Sequence, residues 1–261
     1  MLRKRFITAV IALALLLAVL FAAPAEIAEA VIALVILGGA WEWSRFLQTG
    51  SRALQFTYII VAAALMTAFA GPLATHDVLV LQVALAWWLV AFGWCFFYPT
   101  SIPAAVRWAS GILVLVPAYI ALIELYRIGP HMLLFALLIV WAADMGAYFA
   151  GKAFGKVKLA PAISPGKTWE GVVGGLLLVV VLVVARSFVV ESNLAAMIPF
   201  CLAVAAISIV GDLTVSMFKR TTGVKDSGSL FPGHGGILDR VDSVTAAAPL
   251  FALGVTWLGL S

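Results

Sequence analysis

The chain has 261 residues, 64% of them hydrophobic and only 11% charged, with 16 Lys and Arg against 12 Asp and Glu and a net charge of +4. A mean hydropathy of +1.14 excludes an ordinary soluble domain, in which about a quarter of residues are charged. No basic stripe with interleaved aromatics accompanies the positive charge, which excludes a nucleic-acid partner.

The apolar residues fall in blocks of about twenty, the length that crosses a hydrocarbon core about 30 Å thick. Such blocks offer no polar face to water. Nine spans are expected, at about 6–23, 27–44, 53–72, 78–97, 106–126, 131–151, 171–190, 195–217 and 243–260. Backbone groups in lipid must be satisfied within each segment, so the spans are helices. The fold class is therefore all-α, a polytopic integral membrane protein with about nine transmembrane helices.

The basic N-terminus, Arg3, Lys4 and Arg5, fixes the orientation, because cytoplasmic segments collect Lys and Arg. Alternating the nine spans from a cytoplasmic N-terminus puts all basic residues inside except Arg127 and Arg186. The C-terminus is then external. The run Phe6–Phe21 followed by "FAAPAEIAEA" also has the make-up of a secretory signal, which would leave eight spans if removed. A multi-span chain needs no separate export signal, so the first span is read as retained.

Along residues 1–130 the spans read as a scaffold and dimerisation region. Glu26 and Glu29 fall near the outer end of a helix. "WEWSRF", Trp41–Phe46, reads as an interfacial belt with a charged pair, and Glu42 within it as an anchor, with a part in function as the alternative. His76 and His131 read as solvated interface residues. Cys95 and Cys201 both lie in spans as small apolar fillers, with neither a disulfide framework nor a metal–thiolate site.

The character changes in residues 131–261, the expected catalytic region. "WAADMGAY" places Asp144 inside a span, and Asp212 lies in another, where a carboxylate is costly and by default functional. The alternative is a carboxylate paired with a Lys or a polar neighbour for packing alone. Both helices run toward the cytoplasm, with Lys152 and Lys219 marking the rim. The two carboxylates therefore share a depth roughly 10–12 Å below it, at about 1.5 Å per residue.

Asp212, Ser216, Lys219 and Arg220 stand at i, i+4, i+7 and i+8, one stripe on a helix. A carboxylate at the bottom and two cations at the top suit a phosphorylated ligand whose metal sits deep. The bland alternative is a snorkelling Lys–Arg pair at a helix end, which leaves the Asp and Ser unexplained.

"KDSGSLFPGHGGILDRVD", Lys225–Asp242, then packs Gly228, Gly233, Gly235 and Gly236 among Lys225, Asp226, His234, Asp239, Arg240 and Asp242. Glycine lets backbone N–H groups approach phosphate oxygens. Carboxylates with hard oxygens suit Mg²⁺, which keeps waters and substrate phosphates in its shell. The earlier loop "SPGKTWEG" supplies Ser164 and Lys167. It fails as a Walker loop, which needs G-x-x-x-x-G-K-[ST] after a strand. Gly171 and Gly175 form a small-residue pair for helix packing. Metal-binding carboxylates, several cations and glycines at one headgroup level point to phosphoryl or nucleotidyl transfer involving a lipid.

From Ser216 to Asp242 the chain reads S-x-x-K-R-x₄-K-D-x-G-x₂-F-P-x-H-G-G-x-L-D-R-x-D. This resembles the signature of the phosphatidate cytidylyltransferase (CDP-diacylglycerol synthase) family, and "WAADMGAY" and "SPGKTWEG" resemble its other segments. The resemblance implies conversion of CTP and phosphatidate to CDP-diacylglycerol and pyrophosphate, with Mg²⁺ and in some readings a second, monovalent cation. It also implies a homodimer in a bacterial inner membrane.

Asp212 and Asp239 are the first candidates for metal ligands, then Asp144, Asp226 and Asp242. Ser216, Lys219, Arg220, Lys225, Arg240 and Lys167 are candidates for holding phosphates, with Ser164, His234 and Gly235 beside the substrate. An ion-coupled transporter, or another lipid-linked nucleotide or phospho-sugar transferase, is the alternative use of the same residues.

Overall fold

The computed structural model of the protein describes residues 2–228 and 235–259, and side chains from residue 10 onward. Within them the chain forms nine α-helices: α1 Leu2–Phe21, α2 Ala25–Phe46, α3 Arg52–Ala70, α4 Asp77–Cys95, α5 Ala104–Ile128, α6 Pro130–Phe154, α7 Trp169–Ser187, α8 Leu194–Thr221 and α9 Leu238–Trp257. Six of them, α3 to α8, are long and apolar enough to cross a membrane. The chain is an all-α, multi-pass membrane protein.

One departure from the all-helical expectation is a small antiparallel hairpin, β1 Lys158–Ala160 and β2 Ser164–Thr168, with Lys158 opposite Thr168 and Ala160 opposite Ser164. It occupies the polar connection between α6 and α7. Outside the apolar layer, backbone groups are free to pair between strands instead of within a helix.

Helix starts follow local chemistry. Thr168 accepts from Gly171 N–H to cap α7, at 3.1 Å, and Asn193 accepts from Ala195 N–H to cap α8, at 3.1 Å. α6 begins with Pro130, whose missing N–H costs nothing in a first turn. α9 differs, because its N-cap residue Ile237 offers no side-chain acceptor. The carboxylate of Glu42 supplies the cap from α2: Ile237 N–H and Leu238 N–H donate to it at 3.0 and 2.9 Å.

α5 and α9 form the centre of the bundle, buried along most of their length, whereas α3, α4 and α7 bury few of their residues. Leu115, Leu125, Ala246 and Phe251 fill that centre with no exposed surface. Outward Leu, Val, Ile and Phe side chains are what a helix needs when its solvent is lipid.

α6 and α7 are the most extensively packed pair. A Cβ on Gly146 would stand 2.5 Å from the carbonyl oxygen of Gly174, and one on Gly175 would stand 2.5 Å from that of Ala143. Helices in lipid gain contact by bringing backbones close at such residues. The Gly171–Gly175 pair therefore serves packing, as expected.

Two ends of the bundle are distinguishable by charge. At one, Arg127 donates from Nε and Nη2 to Glu29 at 2.8 and 3.0 Å. At the other lie the hairpin, the C-terminal ends of α2, α4 and α8, and the start of α9. Gly175→Leu should lower the thermal midpoint of the purified protein by an amount equivalent to about 1–3 kcal/mol or more, as overpacking does. Gly166→Ala, where a Cβ meets nothing within 4 Å, should leave it unchanged; equal midpoints for the two variants would refute the close α6–α7 packing.

Candidate functional site

α8 delivers the stripe to the charged end, but its side chains turn to different partners. Ser216 Oγ donates to Asp212 Oδ1 at 3.1 Å, one helical turn apart. The other oxygen, Oδ2, pairs with Lys167 Nζ at 2.7 Å, so β2 of the hairpin reaches the middle of α8. Arg220 Nε donates to the carbonyl of Ile163 at 3.2 Å, fastening the hairpin turn to the helix end. Lys219 points the other way and pairs with Asp239 Oδ1 at 2.7 Å.

Asp239 sits in the first turn of α9, above the apolar part of that helix. Its second oxygen accepts from Ser227 N–H at 3.0 Å and Gly236 N–H at 2.9 Å. Burial alone would push this carboxyl up. The Lys219 ammonium and the two N–H groups outweigh that and hold it below the ordinary carboxylate range. The stabilisation from this lowered value is present at neutral pH and is lost on acidification through it.

Asp242, three residues on, is 8% exposed and accepts Ser243 N–H at 2.8 Å. It lies within electrostatic reach of Asp212, Lys219 and Lys167. Asp144 on α6 lies within electrostatic reach of Asp212 and Lys167. So Asp144, Asp212 and Asp242, from three helices, all feel the Lys167 ammonium. Asp144 is exposed on a face of α6 that also turns Met145, Tyr148 and Phe149 outward.

The remaining expected residues lie around this centre. Ser164 is half-buried in β2 beside it. Lys225, Asp226 and Arg240 are exposed. Gly235 has φ +80°, and a Cβ there would stand 2.8 Å from Asp239 Oδ2. His234 lies outside the described residues.

The expected metal pair thus comes to the same end of the bundle, with each carboxylate already holding a cation. Among the described residues, no group of three or more His, Cys, Asp and Glu side chains converges tightly enough to hold a metal ion by itself. Mg²⁺ commonly takes one or two carboxylates and completes its shell with water and phosphate. Hard oxygen donors that carry ammonium groups at 2.7 Å fit that requirement.

One functional residue departs from its expected place. Glu42 is 3% exposed and is no interfacial anchor. Besides capping α9, it accepts from Ser227 Oγ at 2.6 Å. Its neighbour Trp43 is fully buried, donates from Nε1 to the Arg107 carbonyl at 2.9 Å, and lies 5.0 Å from the Phe218 ring. Of the aromatic residues in that stretch, Trp41 alone keeps the outward, belt-like position, 41% exposed. The signal available in sequence was a single acid three residues before a basic one, with nothing to show that its partners lie 185 to 196 residues downstream.

The sequence model of the cytidylyltransferase family matches residues 3–258. A phosphatidate cytidylyltransferase of Pseudomonas aeruginosa is 42% identical over 262 aligned residues, covering 97% of this chain and 96% of the relative. One of Haemophilus influenzae is 40% identical, covering 97% and 98%. One of Staphylococcus aureus is 48% identical over 124 residues, 47% of this chain.

Lys219→Met should destabilise the protein by about 3–5 kcal/mol, because it strands the mostly buried Asp239 charge. Lys167→Met, where both partners are about a quarter exposed (25% and 28%), should cost about 1 kcal/mol or less. The double variant Lys219→Met/Asp239→Asn should recover part of the loss in a thermal-unfolding comparison. No recovery would show that the pair is not what holds this region.

Proposed function

The chain belongs to the cytidylyltransferase family, and from that premise we propose that it is a phosphatidate cytidylyltransferase of a bacterial inner membrane. It joins CTP to phosphatidate, giving CDP-diacylglycerol and pyrophosphate. The observation that carries this reading is the meeting of Asp144, Asp212, Asp242, Lys167 and Lys219 from separate elements at one end of an apolar bundle. A site of that kind is accessible to a water-soluble polyphosphate from above and a lipid headgroup from the side.

The N-terminus and the site face the cytoplasm in this reading, following the basic residues. The exposed face of α6 bearing Asp144, Tyr148 and Phe149 gives phosphatidate lateral access. The exposed Lys225 and Arg240 face the water side, where CTP arrives. A homodimer is part of the same proposal.

Phosphatidate brings an anionic oxygen, so the protein needs no strong base. That oxygen attacks the α-phosphorus of CTP in line. The bond from the α-phosphorus to the bridging oxygen breaks, and pyrophosphate leaves with the electron pair. Lys167, Lys219 and Arg220 lie where they can exchange their present partners for phosphate oxygens, with Lys225 and Arg240 at the outer edge. Ser216 keeps Asp212 oriented.

Mg²⁺, held by Asp212 and Asp239 with Asp144 and Asp242 adjoining, would neutralise charge developing on the leaving pyrophosphate. Asp226, exposed at the rim, is a further candidate ligand, and a monovalent cation is a second candidate ion. Where Asp212 or Asp239 takes the ion, the lysine now on that carboxylate becomes available to phosphate.

Purified protein given CTP, phosphatidate and Mg²⁺ should release one pyrophosphate per lipid product, and chelation should stop it. Asp212→Asn should lower turnover by about a hundredfold or more. Absence of pyrophosphate from the wild type would sink the reaction; intact turnover in both Asp212→Asn and Asp239→Asn would sink the metal assignment alone.

A further inference from the structure

Two flanks of chain, one ending at Gly228 and the other starting at Gly235, converge on the same two carboxylates. On the near flank, Ser227 gives its hydroxyl to Glu42 and its N–H to Asp239. On the far flank, Gly236 N–H goes to Asp239, while Ile237 and Leu238 N–H go to Glu42. Each carboxylate therefore bonds both flanks. Asp239 belongs to the polar cluster itself, and Lys219 balances its charge. Glu42 belongs to α2, contributes nothing to the cluster directly, and is buried.

The fit around Glu42 is close. A Cβ on Gly228 or on Gly236 would collide with its carboxylate oxygens, and a Cβ on Gly38 of α2 would collide with Ile237. These glycines let the two flanks lie against α2 within hydrogen-bonding distance of one side chain. Three donors and the N-terminal end of α9 surround the carboxylate.

We propose that Glu42 is a positioning residue for the nucleotide side of the site, tying Ser227 to the first turn of α9 and so holding Lys225 and Arg240, which adjoin those bonds, in place for CTP. The proposal rests on the cytidylyl-transfer reading above. Lys225 and Asp226 immediately precede the near flank, and Arg240 follows the far flank, all exposed, on the side proposed above for CTP. The lipid-facing residues Asp144 and Tyr148 are on α6, which makes none of the Glu42 bonds. Loosening the flanks should therefore weaken CTP binding and leave phosphatidate binding largely intact.

Full-length protein in lipid nanodiscs provides the test, with Glu42→Gln, the milder Ser227→Ala and the wild type. Glu42→Gln keeps the shape but presents an amide donor to groups that are already donors. KM for CTP should rise about tenfold, the loss expected when a charged hydrogen-bond acceptor is removed. KM for phosphatidate should stay within about twofold on the same argument. Ser227→Ala should shift KM for CTP in the same direction by a smaller factor.

Amide hydrogen exchange at residues 225–228 and 235–240, measured in the nanodiscs without phosphatidate, should speed up in Glu42→Gln, and CTP should restore protection less well than in the wild type. Unchanged exchange would overturn the clamp. Faster exchange with an unchanged KM for CTP, or a loss of activity that only tracks loss of folded protein, would overturn the positioning role. A wild type that protects these amides on adding CTP but makes no lipid product would sink the reaction reading while leaving the clamp measured.

Discussion

A carboxylate buried among helices in a bilayer cannot turn to water, so it must find a cation or a set of N–H donors within the protein. Asp212 takes Lys167 and Ser216; Asp239 takes Lys219 and two backbone N–H groups; Glu42 takes a hydroxyl and two more N–H groups. Except for the Ser216 bond within α8 and the Gly236 bond at the start of α9, these partnerships join segments that the chain leaves apart. The charged end of the bundle is built from them. Removing Lys219 leaves the mostly buried Asp239 charge without the cation that offsets its desolvation.

The same partnerships explain why a polar site tolerates an apolar scaffold. α5 and α9 bury their sides against one another, α6 and α7 close in through glycines, and the lipid-facing helices need no polar surface. What remains polar is gathered at one end, where the hairpin and the start of α9 meet water. The ammonium groups now held by Asp212 and Asp239 occupy positions that suit cations generally. The proposed chemistry consists in exchanging those partners for phosphate and metal, which asks for positioning and charge but little covalent work by the protein.

The sequence suggests dividing the chain into an N-terminal scaffold and a C-terminal polar half, yet the two halves are joined at the charged end of the bundle. Glu42, in the first half, satisfies the N-terminus of α9 at the far end of the sequence. Trp43 beside it packs on Phe218 of α8. The scaffold thus fixes the geometry of the polar half and does more than anchor it in lipid.

The apolar blocks by themselves determined helices, since backbone hydrogen bonds in lipid close only within a segment, and the placement of Lys and Arg determined which helix ends lie together. The Ser216–Asp242 pattern likewise marked the polar cluster, because so many charged residues at fixed spacing have no packing role in an apolar chain. Pairing was a different matter. Which cation meets which carboxylate depends on rotation and offset between helices far apart in sequence, so Lys167 with Asp212, Lys219 with Asp239, and the burial of Glu42 were decided only by the tertiary structure. A single glutamate in "WEWSRF" has the same local appearance whether it faces headgroups or caps a helix 196 residues away; only the packing of α2 against α9 tells them apart.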